Sequence, residues 1–311
     1  MITEEFENKI WIYFQTNLSP RTRKEYWNII KNFDKITQKD PLHMNAEASD
    51  KYYKYLIDQV KKNKLSYSTA LTRLSSMRSI CNFIEFNQHN HGNIEYTNYL
   101  KDYSLPDIDK TIEKEALPSP AEINTILELM ISESDLKAFL ITSLVVKCGL
   151  TNSEVCSLDY NNIMCDTKGD LCIQIPSRPI KGKLIKPARV LHIPDDISKI
   201  LDNYININKI TDGCLFINKR KNRIKIRDTE RMLLKYVNKC IEEKKISTAF
   251  TMQSLRHASF SYMLQGGATY EQVASYGGIS TKWMNRYHLI TTQSTENQAV
   301  NYSVITINYK I

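Results

Sequence analysis

The side chains able to do chemistry fall into two sets, clustered cations and scattered thiols. Lys61, Lys62 and Lys64 form one basic cluster, and Lys181, Lys183, Lys186 and Arg189 form a second. The densest is Lys219, Arg220, Lys221, Arg223, Lys225 and Arg227. Such clusters suit a nucleic-acid backbone, because each neutralised phosphate releases condensed counterions. They also suit a plain solvated face, so charge alone does not decide. The thiols (Cys81, Cys148, Cys156, Cys165, Cys172, Cys214, Cys240) are odd in number and never spaced Cys-x-x-Cys. That pattern speaks against a disulfide framework or a zinc module and for buried free thiols. No metal and no cofactor is expected.

A chain of 311 residues can build two ordinary domains around these groups. Hydrophobic content of 42%, charged content of 24%, a formal charge of +8 and a pI near 8.9 describe a basic globular protein rather than a disordered one. No apolar run reaches the roughly 18 to 20 residues needed to span a bilayer. The longest, Ala138 to Val146, is interrupted by Thr142 and Ser143 and reads as a core helix. The opening Met1-Ile2-Thr3-Glu4-Glu5 is acidic and lacks a basic-then-apolar leader, so a cytoplasmic, nucleoid-associated location is expected.

The first hundred residues read as helices. Ser19-Pro20 is a cap followed by proline at the first helical position, and Tyr26, Ile29, Ile30 and Phe33 recur behind it at helical spacing. Asn45 caps a second helix with a stripe of Tyr52, Tyr55, Leu56 and Val60. Ser66 or Ser68 caps a third, with Leu71, Leu74, Met77, Ile80, Cys81 and Ile84 on one face and Arg73 and Arg78 off it. From Asp102 to Pro118 the chain is polar, with two prolines and no apolar period, as a linker would be. Ser119-Pro120 opens the next helix, and a helix from Asp135 to Cys148 stops at Gly149. The period then shortens towards two in Leu171–Ile175 and Arg189–Ile193, two strands around Lys181-Gly182. Helices are expected again at 197–204, 228–243, 254–264 and 270–276. The tail from Val300 to Ile311 reads as a strand that pairs within its own chain.

Several stretches together resemble the tyrosine recombinases. Leu18-Ser19-x-Arg21-Thr22 with Tyr26, and Leu65-Ser66, Thr69, Arg73-Leu74 and Met77-Arg78, are similar to that family's core-binding domain. Gly149 to Leu158 resembles its first catalytic box, Ile180-Lys181-Gly182-Lys183 with Arg189 to Pro194 its lysine hairpin, and Ser254 to Phe260 its second arginine box. Gly277 to Thr281, then Arg286-Tyr287-His288, resembles the segment ending in the nucleophile. Each box is a weak match; their order and spacing over nearly the whole chain are specific.

The resemblance implies a mainly α fold with a small β-sheet. It divides into a helical core-binding domain (1–105), a linker (106–118) and a recombinase-type domain (119–311) with a C-terminal strand. It implies double-stranded DNA as partner, held from opposite sides by the two halves, with self-association on DNA. Arg21, Arg23, Lys64, Thr69, Arg73, Arg78, Lys181, Lys183, Arg189, Lys219, Arg220 and Arg256 are the expected DNA-binding residues, with Arg21, Arg73 and Arg78 on the DNA side of the first domain. In the family a tyrosine hydroxyl attacks the scissile phosphate, two arginines stabilise the charge that gathers on it, and a hairpin lysine protonates the leaving oxygen. Lys181, Arg256 and Tyr287 keep those positions; the first arginine is Thr151, and the two histidine positions are Gln253 and Gly278.

Three such losses predict that cleavage and religation are gone, leaving Arg256 as a phosphate anchor and Tyr287 as a core or surface aromatic. Arg178 or Arg189 could swing in for the missing arginine, and His257 or His288 could do the histidine work. Loss is favoured over either rescue. His257 is read as an ordinary packing histidine pointing to a different side from Gln253. The pattern of losses resembles integrase-like repressors that keep temperate Bacillus phages of the SPβ type in lysogeny, and a regulatory peptide or protein could switch such a repressor. A working recombinase with an unconventional site, or a non-cutting accessory factor, are the alternatives.

Overall fold

In the computed structural model, residues 1–88, 95–105, 117–167, 169–179 and 185–288 are described. Lys181, Lys183 and the tail from 289 onward, including the expected C-terminal strand, lie outside them. The chain divides into two compact units, Met1–Ile108 and Asp109–Ile311.

The first unit is helical. A broken N-terminal run (α1 Glu4–Phe6, a π turn Glu7–Trp11, α2 Ile12–Phe14 and a 3-10 turn Gln15–Asn17) precedes three long helices, α3 (Pro20–Thr37), α4 (Ala46–Lys61) and α5 (Tyr67–Phe86). The caps are those their sequences announce: Ser19 accepts from the Thr22 amide, Asn45 from Ala48 and Ser66 from Thr69. Short polar side chains do this because the first-turn amides have no partner within the helix. Behind the caps Ile30, Phe33, Tyr52, Leu56, Leu74, Met77 and Ile80 are buried against one another, and Phe33 meets the Tyr52 ring edge-on at 5.0 Å between centroids. In the N-terminal run Phe6 and Ile10 plug the same core, and Ile2 and Phe14, at the same four-residue spacing, pack against it.

In the second unit α6 (Pro120–Ser132) starts with the Ser119–Glu122 capping box, and α7 (Leu136–Cys148) follows from the Asp135 cap. Every residue of α7 from Ala138 to Cys148 is buried. A helix apolar all round must be covered all round, and α6, α9 (Asp195–Asn208), α10 (Ile226–Glu242) and α11 (Met252–Gln265) pack on it. Gly149 ends α7 in the left-handed region at φ 58°, where a residue without Cβ is unstrained.

The chain then forms α8 (Asn152–Ser157) and an antiparallel sheet of β1 (Ile163–Cys165), β2 (Leu171–Ile175) and β5 (Arg189–His192), in the order β1-β2-β5. Ile173 lies opposite Leu191 and both face the core, whereas their neighbours Gln174 and Val190 face out. A two-stranded ribbon, β3 (Arg178–Pro179) with β4 (Ile185–Lys186), extends the β2–β5 hairpin. The last described elements are α12 (Tyr270–Gly277), α13 (Thr281–Met284) and a 3-10 turn at Asn285–Tyr287. The fold is therefore mainly helical with one small sheet.

Candidate DNA-cleavage site

Position 151 is a helix cap. The Thr151 hydroxyl accepts from the Glu154 amide at 3.1 Å, and Glu154 Oε2 accepts from the Thr151 amide at 2.9 Å. This capping box starts α8, so the Thr151 side chain is engaged with the backbone.

Glu154 is the centre of the site. Its carboxylate is buried and accepts from both terminal nitrogens of Arg189, Nη1 to Oε1 at 2.9 Å and Nη2 to Oε2 at 3.1 Å. Arg256 Nη1 lies 3.6 Å from the same Oε2. Burial alone would raise the carboxyl pKa, but the bonds and charge of Arg189 and the Thr151 cap outweigh it and hold the group down at about 2. Two guanidiniums thus converge on one ionised carboxylate. Arg189, from β5, is thus committed to a buried acid of α8.

Room for it comes from position 278. Gly278 caps α12 at φ 60°, and a Cβ there would stand 2.7 Å from Arg189 Nη1 and 2.9 Å from its Cζ. Arg189 Nε also donates to the Tyr276 carbonyl at 3.1 Å, so the α12 terminus holds the side chain from both sides.

Arg256, on α11, is only 4% exposed. Nη1 donates to the Gly149 carbonyl, Nη2 to the Gly277 carbonyl at 3.0 Å, and its Cζ lies 4.8 Å over the Phe260 ring. Both glycines press on that ring, since a Cβ at either would come within 2.6 Å of it. Arg256 therefore ties the end of α7 to the end of α12.

Tyr287 is fully buried among Phe260, Met263, Met284 and Trp283. Its hydroxyl lies 2.6 Å from His257 Nδ1, and His257 Nε2 lies 3.0 Å from Gln253 Nε2. Burial, then the charges of Arg286 and Arg256, push the imidazole down to about 4, so it is neutral. Burial raises the Tyr287 hydroxyl well above the ordinary tyrosine value against the opposing charges of Arg286 and Arg256. The expectation that His257 and Gln253 point apart is corrected here: residues four apart on a helix lie on one face, and these two touch. The reading of Tyr287 resolves to a core aromatic. His288, by contrast, is exposed and engages the Asn285 carbonyl at 3.0 Å.

The other expected DNA contacts separate by environment. Arg21 is exposed and pairs with Glu25 at 3.0 Å; Lys64, Thr69, Lys219 and Arg220 are also exposed. Arg23 Nε donates to the Leu18 carbonyl at 2.9 Å. Arg73 Nη1 donates to Asn32 at 3.3 Å, beside the buried Tyr52. Arg78 is turned inward, with Nε on the Leu100 carbonyl at 3.1 Å and Nη2 on the Tyr103 carbonyl, where it straps the segment after α5 to the bundle. The carbonyls of that segment take the guanidinium as their donor, as acceptors removed from water require.

The model of the phage integrase family matches residues 119–290, more than half of the chain. The chain belongs to the phage integrase family. As a family member it is 27% identical over 293 residues to a tyrosine recombinase of Pseudothermotoga lettingae, covering 91% of this chain and 92% of that one. A tyrosine recombinase XerC of Histophilus somni is 22% identical over 279 residues, with 87% and 86% covered. Among solved structures, the Tn1549 transposon integrase in complex with a circular intermediate DNA is similar at a TM-score of 0.69 and 15% identity, covering 89% of this chain and 92% of that one. A lambda integrase dimer bound to a COC′ core site is similar at 0.65 and 14%, covering 96% and 98%. At such identities the likeness is one of fold. What sequence reasoning missed is the pairing of Arg189 with Glu154.

Proposed function

We propose that this integrase-family protein binds double-stranded DNA in a sequence-specific way without cutting it, and serves as a transcriptional repressor of the kind that maintains phage lysogeny. One observation carries the reading: the Tyr287 hydroxyl is enclosed and engaged by a neutral histidine, while Thr151, at the expected first-arginine position, is a helix cap. Missing one preorganised donor to a transition-state oxyanion costs about 3 kcal/mol, or roughly a hundred- to thousandfold in rate. Here the groups at 253 and 278 are absent as well. A basic surface kept after the cleavage groups are lost favours holding DNA over processing it. DNA-bound neighbours such as the lambda integrase dimer support self-association on DNA. A regulatory peptide or protein partner would provide the switch.

Genome-wide mapping of bound sites tests the proposal. Sites clustered at promoters are expected. A single paired attachment site would instead favour a working recombinase, the reading that the relatives named recombinases and the presence of Arg189 in the site support.

A further inference from the structure

We propose that Asp166, Cys172 and His192 form a binding site for a divalent transition-metal ion of the zinc type, on the face of the small sheet turned away from the core. The site uses none of the groups around Tyr287 and goes beyond the DNA-binding reading.

The register of the sheet brings the ligands together. Cys172 on β2 is paired with His192 on β5, one position from the Ile173–Leu191 pair that faces the core. Side chains alternate along a strand, and residues directly opposite one another share a face. Cys172 and His192 therefore meet on the outer face, with Cys172 Sγ 3.3 Å from His192 Nδ1. The turn between β1 and β2 supplies the third group. The Asp170 amide donates to Asp166 Oδ1 at 3.0 Å, and the Asp166 amide donates to the Asp170 carbonyl at 2.9 Å, which fixes the carboxylate at the mouth of the turn. Its Oδ2 lies 3.7 Å from His192 Nδ1. Among the described residues this is the one place where three side chains of metal-ligating type each bring a ligand atom within 4.8 Å of the others.

These separations suit a metal ion. Sulfur, imidazole nitrogen and carboxylate oxygen bound at about 2.0 to 2.3 Å from a tetrahedral zinc ion stand roughly 3.3 to 3.7 Å from one another. The Cys172–His192 and His192–Asp166 distances already lie in that range. A thiolate with an imidazole and one carboxylate selects zinc or cobalt over magnesium and calcium, which take oxygen ligands. As the sulfur–metal bond forms, the Cys172 thiol proton passes to solvent, and His192 offers its Nδ1 lone pair with the ring proton on Nε2. Water completes the tetrahedron from the side of His192, whose side chain is 66% exposed. The ion joins the β1–β2 turn to β5. Because the Tyr276 hydroxyl donates to the His192 carbonyl at 3.0 Å, the same residue is also tied to α12. The metal thus braces the base of the β2–β5 hairpin. A search for Cys-x-x-Cys passes over such a set, since strand pairing and not local spacing assembles it.

The experiment titrates the full chain, reduced and stripped of metal with a chelator, with Co²⁺ in the absence of DNA, and reads absorption. A thiolate-to-cobalt charge-transfer band that saturates at one ion per chain, and that Zn²⁺ then bleaches, is expected. Cys172→Ser should abolish the band. His192→Ala and Asp166→Asn should each weaken Co²⁺ binding by at least about tenfold. Cys165→Ser, which alters the exposed thiol next to Asp166, should leave band and affinity intact. Saturating Zn²⁺ should raise the melting temperature of the wild type and not that of Cys172→Ser.

A wild type without the band, or a band that survives Cys172→Ser, overturns the proposal. Should Cys172→Ser fail to fold, Asp166→Asn decides: an unchanged Co²⁺ affinity in that variant removes the carboxylate and overturns the three-ligand site. Since no duplex enters the titration, a chain that fails to bind DNA would sink the DNA-binding reading alone.

Discussion

His257 Nδ1 and the Tyr287 hydroxyl lie 2.6 Å apart inside a pocket closed by Trp283 and Phe260. The Tyr287 side chain is thus half of a buried hydrogen bond. Tyr287→Phe removes it and leaves the imidazole nitrogen without that partner. A loss of about 1 to 2 kcal/mol in unfolding free energy is expected by urea titration. DNA affinity and function in cells should be unchanged. A Tyr287→Phe variant that binds DNA normally yet loses its phenotype would point to chemistry at that hydroxyl.

Arg256→Ala should do more harm. It strips two carbonyls, Gly149 and Gly277, of their donor and removes the cation over Phe260. Breaking a buried charge cluster by deleting one member costs about 3 to 5 kcal/mol. Chemical denaturation should show that loss, together with weaker DNA binding.

Stability should fall in two steps on the acid side. His257 is held at about 4 against an ordinary 6.5, so its contribution is complete above 6.5 and is lost as pH falls towards 4. Glu154 is held at about 2 against 4.5, so its contribution is complete above 4.5 and fades as pH falls towards 2. Melting temperature measured from pH 7 down to pH 3 should show both. His257→Gln should flatten the first step and leave the second, whereas an unchanged profile in that variant would contradict the assignment.

Restoring arginine at position 151 should not rebuild the site. Thr151→Arg removes the hydroxyl that caps α8, a loss of about 1 kcal/mol, and brings a third guanidinium to a carboxylate that Arg189 already holds. Lower stability with no gain of DNA cleavage is expected. Vigorous cleavage by Thr151→Arg would show that a charge at 151 is the only thing the site lacks.

Much of this was legible in the sequence because caps, apolar periods and box order are local. Ser19, Asn45, Ser66, Ser119 and Gly149 each mark an element end through their own backbone chemistry, and each does so in the structure. In the broken N-terminal run Ile2, Phe6, Ile10 and Phe14 recur at helical spacing, but the period does not show where the helix breaks into π and 3-10 turns. Contacts between distant segments were also hidden. Nothing near Arg189 names Glu154, which is 35 residues away, and nothing near Arg78 names the carbonyls of Leu100 and Tyr103. Thr151 and Gly278 were visible one at a time; that the Arg189 guanidinium packs on Gly278 and binds the carboxylate of the Thr151 capping box is a fact of packing.

This scaffold is proposed to hold DNA without cutting it. The most direct measurement uses nicked suicide duplexes carrying the protein's own bound sequence, which trap any covalent 3′-phosphotyrosyl product, followed by denaturing electrophoresis. Tight binding with no covalent adduct, for the wild type and Tyr287→Phe alike, is the predicted result. A DNA-linked species present in the wild type and absent from Tyr287→Phe would contradict it.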